Sequence, residues 1–114
     1  MPRKLLEGIK VVGFTWYVAG PQITKTLAAY GAEMIKVEGR SRPDPQRPGR
    51  PFKDDIAGVN RGGDFNQYNT GSLSVALNLA HPKGVEVAKK FVARADIVVE
   101  NFAGGGNEKD RAGL

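Results

Sequence analysis

Arginine is concentrated in one short stretch of the chain, between Gly39 and Pro51. The stretch contains Arg40, Arg42, Arg47 and Arg50. Because a guanidinium binds phosphate through two parallel hydrogen bonds, this pattern is that of a phosphate clamp. For any single one of these arginines a solvated basic loop is the stronger interpretation, with Arg40 as the exception for which phosphate binding is favoured.

Polar and aromatic residues also follow apolar segments that are typical of strands. Asn101 and Phe102 end one such segment, and Trp16 and Tyr17 follow another. Open α/β sheets bind ligands beyond the carboxyl ends of their strands. Ligand binding is therefore favoured over capping for Asn101, whereas ligand binding and core packing are equally supported for Phe102, Trp16 and Tyr17.

Side chains that hold metals or act as nucleophiles are scarce. The chain has no cysteine and one histidine, which excludes disulfides, cysteine nucleophiles and sites with two histidines. That histidine, His81, precedes Pro82, where capping a helix is the stronger interpretation. Glu38 stands near arginines, where an ion pair is favoured over catalysis. The sequence therefore predicts no metal site.

The 17 basic and 12 acidic residues give a net charge of +5. A basic balance favours anionic partners such as nucleic acids, acidic lipids and phosphorylated small molecules. Nucleic acid ranks last, because no recognition helix, stacking platform or known module pattern is visible. No apolar run approaches the roughly 18 residues that span a bilayer. The N-terminus has no apolar signal-peptide segment, so we expect no membrane contact and a cytoplasmic location.

Residues 1–38 have the pattern of a β-α-β unit. The apolar run 9–14 predicts a buried strand. Gly20-Pro21 predicts a helix start, with proline at the first helical position, and Gly31 predicts the helix C-cap. The alternating run 33–38 predicts a second strand, parallel to the first.

Residues 39–70 are predicted to be a proline- and arginine-rich loop. Four prolines oppose regular structure there: Pro43, Pro45, Pro48 and Pro51. Apolar residues that could anchor the loop are Phe52, Ile56, Phe65 and Tyr68. A segment of about 30 residues without regular structure is unusual inside a compact domain and is often functional.

Residues 71–102 show a second β-α-β pattern. Alternation over 73–79 predicts a strand, a helix is expected from Pro82, and 96–102 predicts a strand apolar enough for burial on both sides. The glycine-rich tail at 103–114 is predicted to be flexible. The predicted fold class is α/β, with Rossmann-like β-α-β units in three layers and mainly parallel strands. Two helices would leave one face of the sheet poorly covered, which indicates a missing remainder or a partner chain.

Four segments in this order resemble the start of the family III CoA-transferases, or CaiB/BaiF family, which includes formyl-CoA transferase and α-methylacyl-CoA racemase. The segments are LEGIKVVGFTWYVAGP, GAEMIKVEGR, NTGSLSVALNLAHPKG and ADIVVENFAGG. Each alone is weak evidence, but the ordered set is specific and spans residues 6–105.

The resemblance implies a Rossmann-like domain, incomplete here, that is built from both ends of a longer chain in a dimer of interlocked subunits. In such transferases an aspartate forms acyl anhydride intermediates and passes CoA between carboxylic acids. That aspartate lies downstream of the ENF segment, and no aspartate here occupies the matching place. The implied function is a truncated, CoA-binding N-terminal segment without a catalytic residue or activity of its own. A stand-alone CoA- or nucleotide-binding or dimerisation module is the alternative, and racemase chemistry also remains open.

CoA or acyl-CoA is thus the implied ligand, and the resemblance also implies its contacts. The implied CoA-binding residues are Val18, Ala19, Arg40, Leu77, Asn78, Ala80, Asn101 and Phe102. Val18 and Ala19 match a stretch beside the thioester, and Arg40 matches a basic position near the adenine nucleotide. Val18 stands where formyl-CoA transferase has glutamine, and Gly39 replaces an arginine. The acyl substrate and the strength of phosphate binding therefore remain open.

Overall fold

The computed structural model describes residues 3–102, so the predicted tail at 103–114 lies outside it. The described chain forms a four-stranded sheet with the order β3-β2-β1-β4. The strands are β1 (Lys10–Phe14), β2 (Glu33–Glu38), β3 (Ser72–Ala76) and β4 (Ile97–Glu100). Every neighbouring pair is parallel, which confirms the predicted α/β class with parallel strands.

Three α-helices lie between these strands in the described chain: α1 (Ala19–Ala29), α2 (Gly63–Tyr68) and α3 (Pro82–Arg94). α2 and a short 3₁₀ turn at Lys53–Asp55 fall inside the segment predicted to lack regular structure, so that prediction is wrong for both. The last proline of the segment is Pro51. Both pieces follow it, and neither is long enough to show a periodic pattern.

The predicted three layers are confirmed, because α1 and α3 cover opposite faces of the sheet. The face beneath α1 buries Val11 and Met34. The face beneath α3 buries Val12, Phe14 and Val37. This alternation along β1 and β2 is the expected consequence of side chains that point to opposite faces at successive residues.

Uncovered apolar surface lies at the edges of the sheet rather than over one whole face. On edge strand β3, Leu73 is 58% exposed, and on edge strand β4, Ile97 and Val98 are 36% and 38% exposed. The prediction that both faces of β4 are buried is therefore wrong for the described chain. The strand is apolar as predicted, but within residues 3–102 it is an edge strand that pairs only with β1.

The ends of α1 differ slightly from the sequence prediction. The helix begins at Ala19, so Pro21 is its third residue rather than its first, and this position also lies among those whose N–H has no helical partner. Gly31 follows the end of the helix with φ +105°, a left-handed conformation that glycine adopts without strain. The predicted glycine cap is confirmed in that role.

Candidate functional site

Residues that follow all four strands come together at one edge of the sheet. Parallel strands place their carboxyl ends at the same edge, where open α/β sheets bind ligands. A cleft forms there, and we call it the strand-end cleft. Its lining comprises Trp16, Val37, Glu38, Gly39, Ser41, Arg42, Leu77, Asn78, Leu79, Ala80 and Phe102. Its volume is about 40 Å³, so only part of a drug-sized ligand enters it.

Two aromatic rings form one wall of the strand-end cleft. Trp16 and Phe102 meet edge to face, with their centroids 4.9 Å apart and their planes at 67°. Phe102 also packs against the core that includes Val12 and Phe14. Sequence reasoning left pocket and core roles equally supported for both aromatics, and the structure gives Phe102 both. Such a pair is worth about 0.5–1.5 kcal/mol beyond the area it buries.

Another part of the cleft lining is built by the turn that joins β3 to α3. The Asn78 side chain accepts a hydrogen bond from Ala80 N at 3.0 Å, and the Asn78 carbonyl accepts from His81 N at 3.1 Å. A Cβ on Gly84 would collide with the Asn78 backbone, so glycine allows α3 to approach the turn. The His81 Nδ1 accepts from Lys83 N at 3.1 Å, which confirms its predicted capping role.

Asn101 holds the backbone of Trp16 through both polar atoms of its side chain. Its Oδ1 accepts from Trp16 N at 2.9 Å, and its Nδ2 donates to Trp16 O at 2.8 Å. A Cβ on Gly20 would lie 2.7 Å from the same Oδ1. Asn101 therefore lies beside the cleft rather than among its lining residues, and glycine at position 20 leaves room for it.

The next residue of this turn, Tyr17, is held from another part of the chain. Its backbone has φ +61°, which is uncommon for a residue other than glycine. Tyr17 N donates to Asp44 Oδ1 at 2.9 Å, and the same oxygen accepts from Gln46 N at 2.9 Å. Asp44, which is fully buried, thus ties the turn to the segment that follows β2.

Asp44 also belongs to a cluster of buried charges at the end of β2. Lys36 Nζ donates to Asp44 Oδ2 at 2.7 Å, to Thr15 O at 2.9 Å and to Asn69 Oδ1 at 2.8 Å. The side chains of Lys36 and Asp44 are only 3% and 0% exposed. An ammonium has three hydrogens to donate, so Lys36 is fully satisfied although it is buried.

A second ion pair adjoins the first. Arg47 Nε and Nη2 donate to the two carboxylate oxygens of Glu38, each at 2.6 Å. The guanidinium lies 3.9 Å from the centroid of the Phe65 ring. This confirms the ion pair predicted for Glu38. We call Lys36, Glu38, Asp44 and Arg47 the ionic latch, since they fasten residues 39–70 to β2.

The ionic latch changes the titration of the second pair. Burial alone would raise the pKa of Glu38, but the hydrogen bonds from Arg47 and from the Asp44 N–H, together with nearby positive charge, lower this pKa below its ordinary value. The hydrogen bond to Glu38 raises the pKa of Arg47. Arg47 is therefore committed to Glu38, and it is no longer a candidate for a phosphate clamp.

The arginines after β2 do not all face one site. Arg42 lines the strand-end cleft, whereas Arg40 lines a second depression of about 420 Å³. This depression shares Glu38 and Gly39 with the cleft. Its other lining residues are Arg40, Pro43, Arg47, Val59, Asn60, Ser74 and Ala76.

The predicted CoA-binding residues therefore divide into two groups. Leu77, Asn78, Ala80 and Phe102 line the strand-end cleft. The residues that lie outside its lining are Val18, Ala19, Arg40 and Asn101. Val18 is 42% exposed at the start of α1. Sequence reasoning missed Val37 and Ser41 as lining residues, although each stands beside a residue that it had singled out.

Within residues 3–102 no three side chains among histidine, cysteine, aspartate and glutamate come together to hold a metal ion. None of the helices described is long and apolar enough to cross a membrane.

Comparisons with known proteins agree on one family. The model of CoA-transferase family III matches residues 6–114. The chain is 40% identical over 104 residues to succinyl-CoA:mesaconate CoA-transferase of Haloarcula marismortui, an alignment that covers 91% of this chain and 26% of that protein. It is 39% identical over 97 residues to formyl-CoA:oxalate CoA-transferase of Escherichia coli O6:H1, covering 85% of this chain and 22% of that protein.

A solved structure gives the same picture. The crystal structure of a CAIB/BAIF family protein from Brucella suis matches with a TM-score of 0.83 and 36% identity. The match covers 96% of this chain and 29% of that chain. The chain thus spans about a quarter of the length of the proteins that it resembles.

Proposed function

Because the chain belongs to CoA-transferase family III, we propose that it is the CoA-binding N-terminal segment of a CoA-transferase. In this proposal the strand-end cleft receives part of coenzyme A. The transferase moves CoA between carboxylic acids, as the names of the relatives state for succinyl-CoA with mesaconate and for formyl-CoA with oxalate.

The observation that carries the proposal is the convergence of segments after all four strands on one narrow, mostly apolar cleft. Coenzyme A has an apolar pantetheine arm, a flat adenine and three phosphate groups. The Trp16–Phe102 wall suits the apolar parts, because aromatic faces and edges pack well against flat or aliphatic groups. Arg42 in the lining and Arg40 in the neighbouring depression suit the phosphates.

The carboxylate that carries the acyl group is proposed to lie outside this chain. Asp44 is fully buried and paired with Lys36, so it cannot meet a substrate. Asp96 Oδ2 accepts from Lys10 N at 2.8 Å, at the start of β1 and thus at the far edge of the sheet. Among the described residues no aspartate lines the strand-end cleft, and the chain alone is expected to have no transferase activity.

Calorimetric titration tests the proposal directly. The purified chain, shown to be folded by circular dichroism, is titrated with CoA, with dephospho-CoA and with ATP. We expect CoA to bind and the loss of its 3′-phosphate to weaken binding. A folded chain that gives no heat with CoA contradicts the proposal that these residues form a CoA site.

A variant locates the site within the fold. Phe102→Ala removes half of the aromatic wall, and we expect CoA affinity to fall about tenfold. Tyr30→Ala is the matched control, because Tyr30 is a 54% exposed aromatic at the end of α1, away from the cleft. Equal affinities of the two variants would move the CoA site elsewhere.

A dimerisation module without catalysis is the second candidate function. It is favoured by the exposed apolar residues on both edge strands, Leu73 on β3 and Ile97 and Val98 on β4. Light scattering and CoA titration of the same purified chain together distinguish the two candidates. A stable dimer that does not bind CoA favours this module, whereas CoA binding favours the transferase segment, which is itself proposed to work as a homodimer.

A further inference from the structure

The turn between β1 and α1 carries Trp16, yet the β-ladder ends before it. β1 and β4 pair in register as far as Phe14 and Glu100. One step further, the Asn101 side chain replaces the missing backbone partner, since its amide both accepts from Trp16 N and donates to Trp16 O. Only one orientation of the amide satisfies both bonds, so this contact fixes the direction of the Asn101 side chain.

The turn is then held a second time at the next residue. Tyr17 has φ +61°, a conformation that costs free energy for a residue with a side chain and persists only where the surroundings enforce it. The enforcing contact is the hydrogen bond from Tyr17 N to Asp44 Oδ1. Asp44 is in turn fixed by Lys36 Nζ. Successive N–H groups of one turn are thus bound by two side chains from distant parts of the sequence.

We infer that Asn101 and Asp44 are positioning residues, which clamp the turn so that the Trp16 ring stays against Phe102 and keeps the strand-end cleft open. The inference rests on the proposed CoA site, but it assigns Asn101 a role different from the direct CoA contact that the family resemblance implies. Its side chain holds the wall of the cleft and does not itself line it.

The two contacts that Asn101 and Asp44 make to the turn form the clamp. They matter for binding because a loose turn must be ordered when CoA arrives, and this lowers the affinity for CoA. A side chain that must be immobilised when the ligand arrives lowers the net binding free energy. A Trp16 turn that is already fixed avoids this loss. Release of the clamp should therefore loosen Trp16 before any ligand is present, and it should weaken CoA binding as a consequence.

Trp16 is the single tryptophan of the chain, so fluorescence excited at a wavelength that tyrosine does not absorb reports on this wall alone. We would measure acrylamide quenching without ligand, CoA affinity and thermal unfolding for Asn101→Ala and Asn101→Asp. Asn101→Asp keeps the acceptor for Trp16 N and loses the donor to Trp16 O. Asn66→Ala, an exposed asparagine on α2, is the matched control.

For Asn101→Ala we expect a quenching constant at least twofold higher, CoA affinity lowered about tenfold and a cooperative unfolding transition like that of the control. Asn101→Asp should fall between it and the unchanged chain. Lost CoA affinity with unchanged quenching would overturn the inference and make Asn101 a direct ligand contact. Unchanged quenching and affinity would overturn it as well. If the unchanged chain does not bind CoA, the proposed function fails, whereas the quenching measurement still decides whether the clamp exists.

Discussion

The ionic latch and the strand-end cleft are neighbours that share Glu38, but they are built on opposite principles. In the latch each charged side chain meets an opposite charge: Lys36 pairs with Asp44, and Arg47 pairs with Glu38. In the cleft the walls are mainly aromatic and aliphatic, and Arg42 is the arginine in the lining. The latch holds two parts of the chain together, whereas the cleft is the surface at which CoA is proposed to bind.

The comparison shows that a basic stretch does not indicate its function by charge alone. Arg47 and Arg42 lie five residues apart in the same proline-rich segment. Arg47 is 14% exposed and makes a two-point bond to Glu38, so it stabilises the fold. Arg42 lies at the cleft. Variants that separate stability from ligand binding are therefore the most direct tests of this division.

The largest expected effect is on stability, from Asp44→Ala. This change leaves the Lys36 ammonium buried without its counter-ion, and breaking such a pair costs about 3–5 kcal/mol. Urea denaturation followed by circular dichroism measures the free energy of unfolding. Glu86→Ala, an exposed acidic residue on α3, is the control and should change the stability by less than about 0.5 kcal/mol.

Lys36→Met tests the same pair from its other side. Asp44 then keeps the N–H donors of Tyr17 and Gln46, and no buried ammonium remains. The loss of stability should therefore be smaller than for Asp44→Ala. Equal losses would contradict the view that an unpaired buried lysine dominates the cost.

The next effect separates two arginines of the same segment. Arg47→Ala leaves the Glu38 carboxylate without its counter-ion. We expect this variant to lower the free energy of unfolding by about 2–3 kcal/mol. Arg40→Ala changes an exposed residue of the second depression, so its stability should stay within about 0.5 kcal/mol while CoA affinity falls. Calorimetry and urea denaturation on both variants measure the two quantities. If Arg40→Ala destabilises the chain as much as Arg47→Ala, the division of this segment into stabilising and ligand-binding arginines is wrong.

Much of this layout was predictable from local sequence patterns. Alternating or apolar runs mark strands, so the parallel sheet with a helix on each face followed from the order of elements. The pairing of Glu38 with an arginine and the capping role of His81 followed from neighbouring residues. Trp16 and Phe102 were candidates for the wall because both follow strands, although their contact with each other was not predictable.

The rest depends on contacts between residues far apart in sequence. Lys36 occupies a polar position of an alternating strand, which predicts exposure, yet residues 39–70 fold over that end of β2 and bury it. Its partner Asn69 lies 33 positions away, beyond any local pattern. The bond between Asn101 and Trp16 spans 85 positions. Sequence alone also could not show that Arg40 and Arg42 line different depressions, because these depressions form only when the chain folds.

A smaller effect is expected when the pH is lowered, and it concerns the latch rather than the cleft. The pKa of Glu38 is lower in the folded chain than its ordinary value of 4.5. Its contribution to stability is therefore complete above about pH 4.5 and is lost as the pH falls through the lower folded pKa. We expect the stability difference between the unchanged chain and Glu38→Gln to shrink as the pH falls below about 4.5 and through the lowered folded pKa of Glu38, as measured by urea denaturation. A difference that stays constant would show that ionisation of Glu38 does not stabilise the fold.

The smallest effect concerns the turn that connects the two regions, where Tyr17 adopts φ +61°. Tyr17→Gly and Tyr17→Ala remove the same half-exposed ring, so their comparison isolates the backbone. In an ordinary extended or helical conformation glycine would be the less stable of the two by about 0.5–1 kcal/mol. In the left-handed conformation alanine carries a steric cost of about 1–2 kcal/mol, so Tyr17→Gly should be the more stable variant, by roughly 0.5–1 kcal/mol. Thermal unfolding of both variants decides the sign. A more stable Tyr17→Ala would mean that the turn is not held in this conformation. The hydrogen bond from Tyr17 N to Asp44 would then not connect the ionic latch to the Trp16 wall of the cleft.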